Sequence, residues 1–150
     1  MNDHPDLCAE LQALWHRDFP LSRTMDMRLM SFADHVLTSR SSLEPNTNVH
    51  GTAFAGSLYA IESLTAWGLL WLELRIAGLH ASIIHASGNI EFFTPVREAI
   101  VARSAFAGRE DTIDTLTRTG RVRLELTTEV LSGEAVASRF EGVYVVRLME

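Results

Sequence analysis

The chain contains no lysine, and its thirteen basic residues are all arginine. Schiff-base and lysine-nucleophile chemistry are therefore excluded, as is a phosphate-binding P-loop, which needs its lysine. Cysteine is almost absent too. Cys8 stands alone, so no intramolecular disulfide can form and no thiolate metal centre can be built on it. Positive charge is scarce: nineteen acidic residues against thirteen basic leave a net charge of −6. No basic stripe is available for phosphate backbones, so nucleic acid is not an expected partner. Glycine- or proline-rich linkers, internal repeats and low-complexity tracts are missing. The start, Met1 to Asp6, is polar and acidic and lacks the basic and apolar regions of a secretory signal. With the lone cysteine this makes the cytoplasm the expected location.

What remains is ordinary globular material: 47% hydrophobic and 21% charged residues. At 150 residues it fits one domain over 1–150 with one substantial core. Leu7, Leu11, Leu14 and Trp15 recur at helical spacing between Pro5 and Pro20, which predicts a short helix over Asp6–Phe19. Met25 to Ser39 is apolar on both parities and reads as one sandwiched strand. A polar loop follows through Pro45, Asn46, Asn48 and Gly51.

From Ala53 to Leu72 the chain carries a single charge, Glu62. That run has the length of a membrane span, but a mid-span carboxylate costs about 2.5–3.5 kcal/mol on insertion scales. A helix surrounded by protein fits better. Gly56, Ala60, Ala66 and Gly68 would allow close neighbours. Arg75 and Gly78 mark its end.

Beyond Gly78 the period becomes two. Ile84, Ala86, Gly88, Ile90 and Phe92 fall on one face of a strand, and His85, Ser87, Asn89 and Glu91 on the other, with Pro95 closing it. Ala99–Ala107 reads as a strand and Glu110–Thr119 as a turn or short helix. Arg121–Val130 is an alternating strand. Ser132-Gly133-Glu134 reads as a hairpin turn before a last strand over Val136–Leu148. A long apolar helix on an antiparallel sheet of about five strands, with a short N-terminal helix, is an α+β arrangement.

The segment Asn46-Thr47-Asn48-Val49-His50-Gly51-Thr52-Ala53-Phe54-Ala55-Gly56-Ser57-Leu58-Tyr59-Ala60 resembles the signature of the YiiD C-terminal thioesterase family. Leu64 to Leu70, and Leu14-Trp15-His16 with Pro20-Leu21-Ser22, look like the same family. Ile90 to Val96 looks like the strand that follows the helix in hotdog proteins. The resemblance covers most of the chain and implies the hotdog fold, a long central helix wrapped by a curved antiparallel sheet. It implies a thioesterase acting on acyl-coenzyme A or acyl carrier protein without a cofactor. It also implies a homodimer, with a dimer of dimers left open, and a site at the subunit interface near the start of the central helix.

The sequence departs from one pattern of that fold. Where many hotdog thioesterases carry His-Gly-Gly, this chain has Phe54-Ala55-Gly56, and the usual catalytic acid falls on Ser63. Four residues are therefore candidates for catalysis. Glu62 sits on an apolar helix where burial raises a carboxyl toward the general-base range. Ser63 could orient water. His50 and Asn48 lie in the loop before the helix, and histidine suits proton transfer near neutral pH. Asn46 and Asn48 could equally satisfy the loop backbone. The free N–H groups of the first helical turn could polarise a thioester carbonyl, so Phe54, Ala55, Gly56 and Ser57 are expected to bind substrate.

Glu73 shares the face of Glu62, and Thr65 is expected to pack. His80 and His85 lack the partners for a metal site. Trp67 and Trp71 read as core or tunnel lining, and Arg121 and Arg123 as a solvated strand face. Non-catalytic binding of acyl thioesters is the second reading, and a dehydratase or hydratase the third.

Overall fold

The long apolar run becomes a single helix. A computed structural model of the chain describes residues 2–150. In it α1 (Pro5–Asp18) and the single turn α2 (Leu21–Thr24) precede strands β1 (Met27–Ala33) and β2 (Val36–Ser41). The central helix α3 (Ala55–Ile76) follows, then β3 (Ala81–Phe92), β4 (Ile100–Ala105), α4 (Arg109–Thr119), β5 (Arg121–Ser132) and β6 (Ala135–Leu148). Pro5 stands in the first turn of α1, where a missing N–H costs nothing. Gly78 takes a left-handed φ of 73° after α3, and Leu79 N–H donates to the Leu74 carbonyl at 2.9 Å to close that end.

All six strands are antiparallel, in the order β1-β2-β4-β5-β6-β3. Helix α3 touches β2, β4, β5, β6 and β3, so the sheet curls around it in the hotdog arrangement. Helix α1 covers the opposite flank. There Gly68 permits the approach: a Cβ at that position would lie 2.5 Å from Trp15 Cζ2, and Trp15 is fully buried. Protein on every side explains a helix without a polar face. No helix among the described residues is long and apolar enough to cross a membrane.

The strand expected over Met25–Ser39 is two strands. Asp34 and His35 take φ of 51° and 61°, and consecutive left-handed residues make a two-residue hairpin turn. Neither is glycine, so the break carries no strong sequence signal. Tertiary contact holds it instead: His35 Nδ1 lies 2.6 Å from Glu73 Oε1 on α3. The extra hairpin brings the sheet to six strands.

The face pattern expected for β3 holds only in its second half. A bulge between His85 and Ser87 inserts one residue and inverts the parity. Ahead of it Ile84 is 58% exposed, while His85 turns inward against Tyr59, Phe140 and Tyr144. Beyond it Gly88 faces the helix, and a Cβ there would come within 2.4 Å of the Tyr59 hydroxyl. The alternation expected for β5 and β6 is observed: Leu126, Val130, Phe140, Tyr144 and Val146 are all buried.

Candidate active site

Three features surround the N-terminal half of α3: a braced loop, an uncapped first turn and an apolar pocket. The loop is built around Asn48. Its Oδ1 accepts the N–H groups of His50 at 2.9 Å and Thr52 at 3.2 Å. Its amide donates to Thr52 Oγ1 at 2.9 Å and to the Ala53 carbonyl at 3.3 Å. Asn46 is buried and donates to the Met25 and Ser42 carbonyls at 2.9 and 2.8 Å. Both asparagines therefore satisfy backbone, as short polar side chains do in turns. His50 sits at the exposed tip, next to Val49 at 94% exposure.

Phe54 is the N-cap residue of α3 and makes no side-chain cap. Among the described residues the N–H groups of Ala55, Gly56 and Ser57 have no partner; the first helical bond is Leu58 N–H to the Phe54 carbonyl. These are the free donors at the positive end of the helix dipole. The Phe54 ring folds over the first turn, because a Cβ on Gly56 would lie 2.4 Å from Phe54 Cε2.

The pocket, of about 230 Å³, opens further along α3. Ala60, Ser63, Leu64 and Trp67 form its helical wall, and Phe19, Leu21, Ser22 and Met25 its outer wall. His85 and Tyr144 close the sheet side. Ser63 Oγ donates to the Ala60 carbonyl at 3.1 Å, and the Ser63 carbonyl accepts the Tyr144 hydroxyl at 2.8 Å. Burial, with Tyr59 nearby, holds the Tyr144 phenol above its ordinary pKa, so it stays a neutral donor.

Glu62 points away from this pocket. It is fully buried against the sheet, where Oε2 accepts from Ser138 Oγ at 3.0 Å and Oε1 has no partner among the described residues. Burial pushes its carboxyl up to about 8, against the lowering effect of the Ser138 hydroxyl and with a small push from Glu129. Glu62 is therefore a neutral acid at pH 7. No arginine pairs with it among the described residues, and it does not reach solvent. Glu73 gets the arginine instead: fully buried, it is held by His35 Nδ1 and by Arg109 Nε at the start of α4.

So the structure groups Ser63 with the pocket, keeps the first turn of α3 open, places His50 on the loop tip and turns Glu62 into the core. His85 and Tyr144 were not among the sequence candidates for catalysis. Alternation had put His85 on the outer face, and no sequence signal marks the bulge that brings it inward. Thr65 is buried and bonds Ser39 and the Ile61 carbonyl, and Trp67 lines the pocket. No three metal-ligating side chains converge among the described residues.

The sequence family described as "Putative thioesterase (yiiD_Cterm)" matches residues 8–148. The chain belongs to this family. A putative thioesterase from Shewanella oneidensis is similar at 30% identity and TM-score 0.88, over 94% of this chain and 97% of that one. A protein of unknown function from Chlorobaculum tepidum aligns at 24% identity and TM-score 0.87, over 94% of each chain. A thioesterase from Haemophilus influenzae shares the fold at 13% identity and TM-score 0.70, over 95% of this chain and 92% of that one. Membership in this family implies a thioester substrate.

Proposed function

We propose that this protein hydrolyses acyl thioesters of coenzyme A or acyl carrier protein in the cytoplasm, without a cofactor. One observation carries this reading: an apolar pocket beside Ser63, on the helix whose first-turn N–H groups are left free. The pocket takes the acyl chain. The N–H groups of Ala55, Gly56 and Ser57 polarise the thioester carbonyl and stabilise the oxyanion as water attacks. Ser63 positions the water, Asn48 braces the loop, and His50 stands at the mouth of the helix start. Phe54, folded over Gly56, borders the path to the carbonyl.

The free donors lie six to eight residues before Ser63, about 9–12 Å along a helix rising 1.5 Å per residue. One copy cannot apply both to one carbonyl. We therefore place the site between two copies of the chain, with one start of α3 facing the other copy's pocket. Edge strand β3 supports this arrangement. Ile84 and Phe92 on the strand, Phe93 just after it and Phe54 nearby in sequence to the helix start are each about half exposed. Apolar side chains on an open sheet edge favour edge-to-edge pairing.

Binding without hydrolysis is the second reading, favoured by the absence of a carboxylate in the pocket wall. Free-thiol release from acyl-coenzyme A esters of short to long chain separates the two. Hydrolysis by the wild type is expected, with a loss of about tenfold or more in Ser63→Ala if Ser63 holds the water. Binding of these esters without release would establish the second reading.

A further inference from the structure

Resting on the hydrolase reading, we propose that His85 is the base of this site. It takes a proton from the attacking water and returns it to the departing sulfur. Among the residues that line the pocket, His85 alone carries a basic nitrogen that can take up a proton. Ser63 and Tyr144 are hydroxyls already donating to carbonyls. Glu62, the nearest carboxyl on α3 in sequence, is directed at Ser138.

The tautomer of His85 follows from its anchor. Nε2 lies 2.8 Å from the Ser87 carbonyl oxygen. A carbonyl only accepts, so Nε2 carries the hydrogen and Nδ1 carries the lone pair. Nδ1 has no partner among the described residues. The ring is also fixed. It stacks on Tyr144 at 4.8 Å and 16°, and on Tyr59 at 6.2 Å and 21°, with Phe140 edge-on at 5.4 Å. Gly88 leaves the necessary room, since a Cβ there would stand 3.0 Å from His85 Nε2. A ring with one nitrogen anchored, one free and three aromatic neighbours around it is arranged in advance for proton transfer. The bulge between His85 and Ser87 therefore has a chemical consequence, because it brings the imidazole inward and supplies the carbonyl that sets its tautomer.

The step balances as follows. The water oxygen bonds to the acyl carbon while one of its protons passes to Nδ1. The tetrahedral intermediate collapses with loss of the carbon–sulfur bond, and the imidazolium gives that proton to sulfur. Carboxylic acid, thiol and neutral His85 result.

The test uses the full chain, a panel of acyl-coenzyme A esters and two variants. His85→Ala and His85→Phe should each lower kcat by about 10²–10⁴-fold, the usual worth of a general base, with KM changing far less. Added imidazole should restore part of the turnover to His85→Ala. It should not do so for His85→Phe, which keeps the aromatic packing and fills the space. Nitrogen-15 NMR of the wild type should show His85 with Nε2 protonated and Nδ1 bare, a readout independent of turnover. Wild-type kcat in either variant would overturn the base while leaving the hydrolase intact, and so would loss of kcat without imidazole rescue in a folded His85→Ala. A protonated Nδ1 in the neutral ring would overturn it whatever the activity. No hydrolysis by the wild type would overturn the hydrolase reading and this role together.

Discussion

Glu62 and Glu73 stand on the same helix, eleven residues apart, and both are fully buried. Glu73 is held by two cationic or hydrogen-bonding partners, and its end of α3 closes on a left-handed glycine. Glu62 has one hydroxyl and an oxygen without a partner, and its end of α3 opens on three free N–H groups beside a pocket. Buried polar groups are normally paired, so their exceptions call for an explanation. On α3 the exception, Glu62 Oε1, lies in the N-terminal half. The C-terminal half of α3 is built for stability, and the N-terminal half keeps a half-paired carboxyl in the core and, at its first turn, free N–H groups for which a substrate would supply partners.

The largest effect should come from breaking the paired end. Arg109→Ala leaves the Glu73 charge buried with only His35 beside it, and should cost about 3–5 kcal/mol, read from the urea midpoint. The unpaired end should reveal itself through pH. Because Glu62 binds its proton more tightly folded than unfolded, its contribution is complete below about pH 4.5 and declines as pH rises to about 8. Over that window stability should fall by a few kcal/mol, on the order of 1.4 kcal/mol per pH unit. In Glu62→Gln that component of the slope should vanish; an unchanged slope in urea titrations would mean the carboxyl is already ionised. Midway along the helix, Gly68→Ala should displace Trp15 and cost about 1–2 kcal/mol of thermal stability, the overpacking penalty net of alanine's better helix propensity. Smallest of all, His50→Ala at the exposed loop tip should change stability by less than about 0.5 kcal/mol.

The same division governs what the sequence could show. The paired, packed parts are legible because they obey local rules. The apolar run with its glycine stop predicts α3, and strict alternation predicts β5 and β6. Pro5 and Pro20 bracket the first helix. One turn at the paired end, and the site itself, are harder to read because they depend on departures from those rules. Asp34 and His35 form a tight turn without glycine, stabilised by a residue 38 positions away. The β3 bulge inverts a parity that alternation assumes constant. Adjacent residues on a helix point in different directions, so Glu62 and Ser63, equivalent as neighbours in sequence, divide between core and pocket. Asn48 shows the converse, since its contacts are the backbone ones that a turn-rich loop already suggested.

The central claim is that thioester chemistry belongs to the open end of α3. Its most direct test is thiol release from the acyl-coenzyme A panel by the wild type and by Ala60→Phe, which puts an aromatic ring into the pocket wall without touching Glu73, His35 or Arg109. The account predicts hydrolysis by the wild type and a loss of about 10²-fold or more in kcat/KM for the variant, as expected when a substrate is displaced from its reacting geometry, with the fold intact by circular dichroism. Wild-type kcat/KM in a folded Ala60→Phe protein would contradict it and move the chemistry elsewhere on the molecule.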